Sequence, residues 1–133
     1  MDNKIFALLK SDKENYLTLK MNKKVMFLDV WYVVTGSVEK GETYEEAALR
    51  EIQEETQLKV LDIKDSGIVF DYHCKQWDKD AHEKVFFVMV KEDKPVLSEE
   101  HTDFLWLDKK SFFEKLYWYG QDKKSFQELL NRF

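Results

Sequence analysis

The sequence predicts an α/β (α+β) fold, a mixed central sheet flanked by helices, and three observations lead there. Residues 85–90 (VFFVMV) form a nearly continuous apolar run, the pattern of a strand buried on both faces. Thr43 and Glu46 stand at the spacing of a capping box, T-x-x-E, ahead of a helix-forming stretch. Stretches of strand and helix character follow one another as strands, a helix, further strands and closing helices, an order that a sheet covered by helices accommodates.

Taken in order, residues 5–9 and 16–21 read as a short hairpin across the polar turn 11–15. Residues 29–34 (DVWYVV) are β-prone and lead into a loop bounded by Gly36 and Gly41. The capped helix then runs to about Thr56, with Ala48 and Ile52 on its core side. Residues 60–64 and 68–75 follow as strands, with a polar loop near 77–83 before the apolar run at 85–90. Residues 104–107 read as a last short strand. Two helices, 111–119 and 123–133, close the chain and are split at Gly120.

At 133 residues the chain fits one domain, 1–133, large enough to bury a core. Its 44% hydrophobic and 15% aromatic content argues against disorder. No apolar stretch is long enough to span a membrane and the N-terminus lacks a signal pattern, so no membrane partner and a cytoplasmic location are expected. The single Cys74 cannot form an internal disulfide, which fits a reducing compartment, and reads as a small buried filler. A net charge of −5 argues against non-specific nucleic-acid binding, yet a site that gathers divalent cations can still attract polyphosphate.

The segment 36–58, GSVEKGETYEEAALREIQEETQL, carries the chemistry. Residues three and four apart are neighbours on a helix, so Glu51, Glu54 and Glu55 share a face, within a sector of roughly 100°. They repel one another and sit toward the C-terminal end, where the macrodipole disfavours anions. A hard cation such as Mg2+ or Mn2+ among the oxygens resolves both conflicts.

Gly36, Glu42, Arg50, Glu51, Ile52, Glu54, Glu55 and Leu58 resemble the Nudix box, G-x5-E-x7-R-E-U-x-E-E-x-G-U, where U is aliphatic. One position departs: Gln57 stands in place of the second glycine. A glycine just past a helix supplies a left-handed residue, so Gln57 either bears about 1 kcal/mol of strain or lets the helix end by another route. The resemblance implies the Nudix-type α/β/α sandwich and hydrolysis of a phosphoanhydride with Mg2+, or Mn2+, as cofactor. It also implies Glu51, Glu54 and Glu55 as metal-holding carboxylates, a carbonyl near Thr35 and Gly36 as a further ligand, and Arg50 as the residue that fixes their rotamers.

Glu100 and His101, followed by Trp106 and Leu107, resemble the E-H-x-x-x-x-W-L segment of several Nudix subfamilies, in which the glutamate is a metal ligand or the general base. The base stays open among Glu51, Glu54 and Glu100, with Glu54 and Glu100 preferred; His101 reads as an orienting residue. Residues 31–43, W-x-x-V-T-G-S-V-E-x-G-E-T, are similar to Nudix enzymes that release pyrophosphate from dihydroneopterin triphosphate and from dATP. The expected partner is therefore a small nucleotide or pterin polyphosphate, acted on by a monomer or homodimer. Dinucleoside polyphosphates, oxidised nucleotides and a non-catalytic nucleotide-binding module are the rivals. Residues 20–22 lie where relatives often carry a basic pair, which places substrate contacts there in question. Aromatic rings stack on a purine or pterin, so Trp31, Tyr32, Tyr72, Trp77, Trp118 and Tyr119 are candidate contacts, with His73 beside Trp77.

Overall fold

In β1 (Asp2–Ser11), five consecutive side chains, Ile5 to Leu9, are at most 1% exposed, so this strand is buried on both faces and occupies the middle of the sheet. The computed structural model describes residues 1–75, 77–118 and 122–133. β1 runs parallel to β6 (Lys79–Val90), in register from Asp2 against Ala81 to Ser11 against Val90. β6 pairs in turn with the outer strand β5 (Val60–Cys74), antiparallel. On its other side β1 meets β2 (Tyr16–Met21) at Lys10 and Tyr16, and β4 (Val34–Ser37) from Lys4 to Ala7. β2 carries β3 (Trp31–Tyr32) and β7 (His101–Leu107). Among the described residues these strands form one mixed seven-stranded sheet.

Several local expectations change. The first two strands touch at a single register pair and then diverge, because β1 exchanges β2 for β4 along its N-terminal half. The stretch 29–34 is divided at Val33 into β3 and β4, which join different neighbours. A helix not expected, α1 (Lys23–Met26), follows β2; Asn22 caps its start and Phe27, left-handed at φ 65°, closes it. β5 continues through Ser66 and Gly67, where the register shifts. There Gly67 takes φ 78° and donates to Asp65 Oδ1 at 2.9 Å, the bulge position that suits glycine. The expected loop at 77–83 is a tight turn, since β6 already begins at Lys79.

Alternation along the strands builds two cores. Phe6, Leu8, Val85 and Phe87 face α3 (Lys109–Lys115) and α4 (Lys123–Leu130), which contribute Phe112, Phe126, Leu129 and Leu130. Ile5, Ala7, Leu9, Phe86 and Val88 face α2 (Tyr44–Thr56), which contributes Ala47, Ala48 and Ile52. Each fully buried aliphatic or aromatic side chain stabilises the fold by about 1.5–3 kcal/mol, so these faces fix the register. The result is an α/β/α sandwich. Among the described residues no helix is long and apolar enough to cross a membrane. Gly120 and Tyr119 lie outside the described residues.

Candidate active site

The capping box at the start of α2 is formed in both directions: Glu46 N–H donates to Thr43 Oγ1 at 3.1 Å, and Thr43 N–H to Glu46 Oε1 at 3.0 Å. The far end takes the strained route, for Gln57 adopts φ 56° and its N–H donates to Gln53 O at 3.1 Å. Seven residues past the cap, Arg50 ties the loop to the helix. Its Nε and Nη2 donate to the two oxygens of Glu42 at 2.8 and 3.0 Å, and Nη2 also reaches Ser37 O at 3.0 Å. Nη1 donates to Glu51 Oε1 at 2.7 Å and lies 3.3 Å from Glu54. The guanidinium holds the Glu42 carboxyl down to about 2, so this clamp is charged at any physiological pH.

Glu51 extends from α2 over Gly36 of β4. A Cβ at position 36 would clash with the Glu51 side chain, at its Cγ and carboxylate. Gly36 is therefore an aperture, and only a residue without a side chain leaves Glu51 its path. Glu51 and Glu55 are buried, Glu54 is about half exposed at 55%, and Glu100 is partly buried.

Glu100 arrives from the loop before β7. The register of β2 on β7 slips between Lys20 and Met21, which oppose Asp103 and His101. The extra residue shifts the alternation by one, so His101 turns inward while Thr102 and Asp103 are exposed. One ligand atom each from Glu55, Glu100 and His101 then lie within 4.8 Å of one another. His101 Nδ1 sits 2.7 Å from Glu55 Oε2, off the line that a hydrogen bond requires. Burial pushes His101 down to about 4, so it stays neutral. A hydrogen bond to Glu55, then burial, pushes Glu100 up to about 7; burial raises Glu55 and Glu51 as well. Desolvated carboxylates that hold on to protons, with Arg50 already engaged, suit a divalent cation. The oxygen donor set fits Mg2+ or Mn2+.

A cleft of about 380 Å³ opens beside these groups, and Glu51, Glu100 and Gly36 are among its lining residues. Tyr32, Tyr72, Met21, Met26 and Trp77 line it too. Trp77 is 43% exposed and packs edge-on against Phe27, with ring centroids 5.5 Å apart. Tyr72 donates to Glu83, a buried carboxylate, at 3.2 Å. The other expected contacts lie elsewhere. Trp31 alternates with Tyr32 and sits away from the cleft, under the ammonium of Lys115 at 5.3 Å. His73 is spent on Asp80 at 2.9 Å and Asp78 at 3.3 Å outside it. Trp118 packs on Phe113 and Phe126 in the core. Cys74 lines the cleft and is only partly buried, in contrast to the expected filler. Lys4, Lys79 and Glu83 line it too and were missed. Placing 77–83 in a loop hid the alternation Lys79, Ala81, Glu83, Val85 that puts three cleft residues on one face.

The family model of the NUDIX domain matches residues 3–129. Dihydroneopterin triphosphate diphosphatase of Escherichia coli K12 is 31% identical over 93 residues, covering 60% of this chain and 61% of that protein. The chain thus matches less than two thirds of that curated relative. An octanoyltransferase of Myxococcus xanthus is 36% identical over 95 residues, 68% of this chain but 26% of that protein. Among solved structures, the E. coli dihydroneopterin triphosphate pyrophosphohydrolase superposes with a TM-score of 0.78 at 23% identity, covering 98% of this chain and 93% of its own.

Proposed function

This chain belongs to the NUDIX family, and on that premise we propose that it is a Mg2+- or Mn2+-dependent pyrophosphohydrolase of a small nucleotide or pterin polyphosphate. One observation carries the reading: carboxylates from α2 and from the loop before β7 meet beside a cleft that Tyr32, Tyr72 and Trp77 also line. Carboxylates and aromatic rings lining one cleft match a substrate that carries both a phosphate chain and a flat ring.

In this reading Glu51, Glu55 and Glu100 hold the cation, with Glu54 completing the set from the exposed side and a carbonyl near Gly36 adding a ligand. Once bound, the cation neutralises phosphate charge and lowers the pKa of water. Arg50 keeps Glu51 and the Glu42 loop in place. Water attacks phosphorus, the anhydride P–O bond breaks, and the proton passes to a glutamate. Glu100 or Glu54 takes that proton in this reading. Tyr72 and Trp77 contact the ring of the substrate.

Dihydroneopterin triphosphate and dATP are the substrates this reading prefers, supported by the 31% identity to the E. coli enzyme. Diadenosine tetraphosphate is the second candidate, since the Glu100–Leu107 segment also resembles hydrolases of that substrate. The protein acts in the cytoplasm as a monomer or homodimer. The deciding assay incubates it with all three and Mg2+ or Mn2+, and measures pyrophosphate, phosphate and nucleotide products. Turnover lost in folded Glu54→Gln and Glu100→Gln supports the assignment; no turnover of any of them points to a binding module.

A further inference from the structure

Asn22 ties α1 to the segment ahead of β7. Its Oδ1 accepts from Lys24 N–H at 3.1 Å, capping α1. Its Nδ2 donates to Glu99 O at 2.8 Å, and its backbone N–H to Glu100 O at 2.8 Å. The cap needs only the first. Asp, Ser and Thr would cap as well, but Asn is the favoured cap residue that also carries an amide NH2. The two further bonds grip consecutive carbonyls just ahead of the β7 bulge. Glu100 N–H is held separately by Ser98 Oγ at 3.3 Å. With its amide and its carbonyl both engaged, Glu100 has its Cα fixed and its side chain directed toward Glu55 and the cleft.

We propose that Asn22 is a positioning residue that sets Glu100 in the site: its side-chain amide grips the Glu99 carbonyl, beside the bond from its backbone N–H to the Glu100 carbonyl. The inference rests on Glu100 being a working carboxylate, as proposed above. Because carboxylate placement governs the chemical step, loss of the grip lowers kcat far more than it weakens substrate binding.

The test uses the full chain and Asn22→Ser, which keeps a cap acceptor, adds no charge and lacks the amide donor. It also uses Glu100→Gln and the double variant. In metal-free protein, amide exchange across residues 98–101 rises about tenfold in Asn22→Ser, because a carbonyl anchor is gone, while the rest of the sheet is unchanged. With dATP and Mn2+, kcat falls about 10- to 100-fold and KM changes by less than about twofold. In the Glu100→Gln background, Asn22→Ser has no further effect. Equal losses in both backgrounds, an unchanged kcat, or unchanged exchange at 98–101 overturns the proposal. A wild-type protein without turnover defeats the hydrolase reading instead, and the exchange measurement alone then decides whether the grip exists.

Discussion

Replacing Gly36 with alanine adds one methyl group where Glu51 now passes. Gly36 is not among the residues with positive φ, so the backbone accepts alanine and the effect comes from the side-chain collision. The new Cβ would clash with Glu51 Cγ and its carboxylate, so the side chain has to shift. Glu51 must leave its rotamer and give up the 2.7 Å bond to Arg50, a charge-assisted contact worth about 1.5–3 kcal/mol. If the strand moves instead, crowding costs about 1–3 kcal/mol. Either route lowers Tm, by about 3–5 °C per kcal/mol for a domain of this size. Displacing one carboxylate also weakens Mn2+ binding by at least about tenfold, equivalent to about 1.4 kcal/mol. Calorimetric titration with Mn2+ and thermal melting followed by circular dichroism read the two effects. In Gly36→Ala/Glu51→Ala the collision is relieved, so Tm recovers relative to Gly36→Ala while Mn2+ affinity does not. A Gly36→Ala protein with wild-type Tm and Mn2+ affinity would refute the aperture.

Gln57→Gly should stabilise the protein by about 0.5–1 kcal/mol, because left-handed strain of about 1–2 kcal/mol is relieved against the entropy of glycine; a lowered Tm would contradict this. Glu100 is raised to about 7 from its ordinary value, so the folded, metal-free protein holds an extra proton between about pH 4.5 and 7. Its contribution is full below that window and fades as pH rises through it; Tm of apoprotein should fall across it, and saturating Mn2+ or Glu100→Gln should flatten the slope. Trp77→Ala should raise KM for dATP about tenfold, whereas Trp31→Ala, outside the cleft, should change it less than about twofold; equal effects would remove the ring from the Trp77 end. Arg50→Lys cannot reproduce the forked contact with Glu42 and should weaken Mn2+ binding and turnover together, checked by titration and product assay.

Local chemistry was legible in the sequence where it depends on short spacing. The capping box, the Arg50–Glu54 neighbourhood and the two-sided burial of 85–90 all follow from residues a few positions apart. Burial then separated the glutamates of α2, which spacing alone had grouped: Glu51 and Glu55 turn inward and Glu54 outward. What was not legible depends on distant pairing. The parallel alignment of β1 with β6 joins segments that share no sequence signal, and it alone brings Lys4 and Glu83 side by side in the cleft. Position 36 was expected to offer its carbonyl, but its missing Cβ matters because a helix residue fifteen places later crosses it. The bulge that turns His101 inward leaves two exposed residues in a row, a break in alternation visible once β7 is known to begin at His101. Trp31 and Tyr32 could be told apart only after β3 was placed on β2.

The parallel pairing of β1 with β6 also governs how the molecule comes into being. During synthesis β1, with its five consecutive buried side chains, leaves the ribosome before β6 and waits for a neighbour encoded nearly eighty positions downstream. Closing so long a loop slows assembly and leaves a sticky segment uncovered meanwhile. Nascent chains that stop before Val90 should therefore aggregate or recruit chaperones, and release of the remaining stretch should trigger collapse to the native state in one cooperative event.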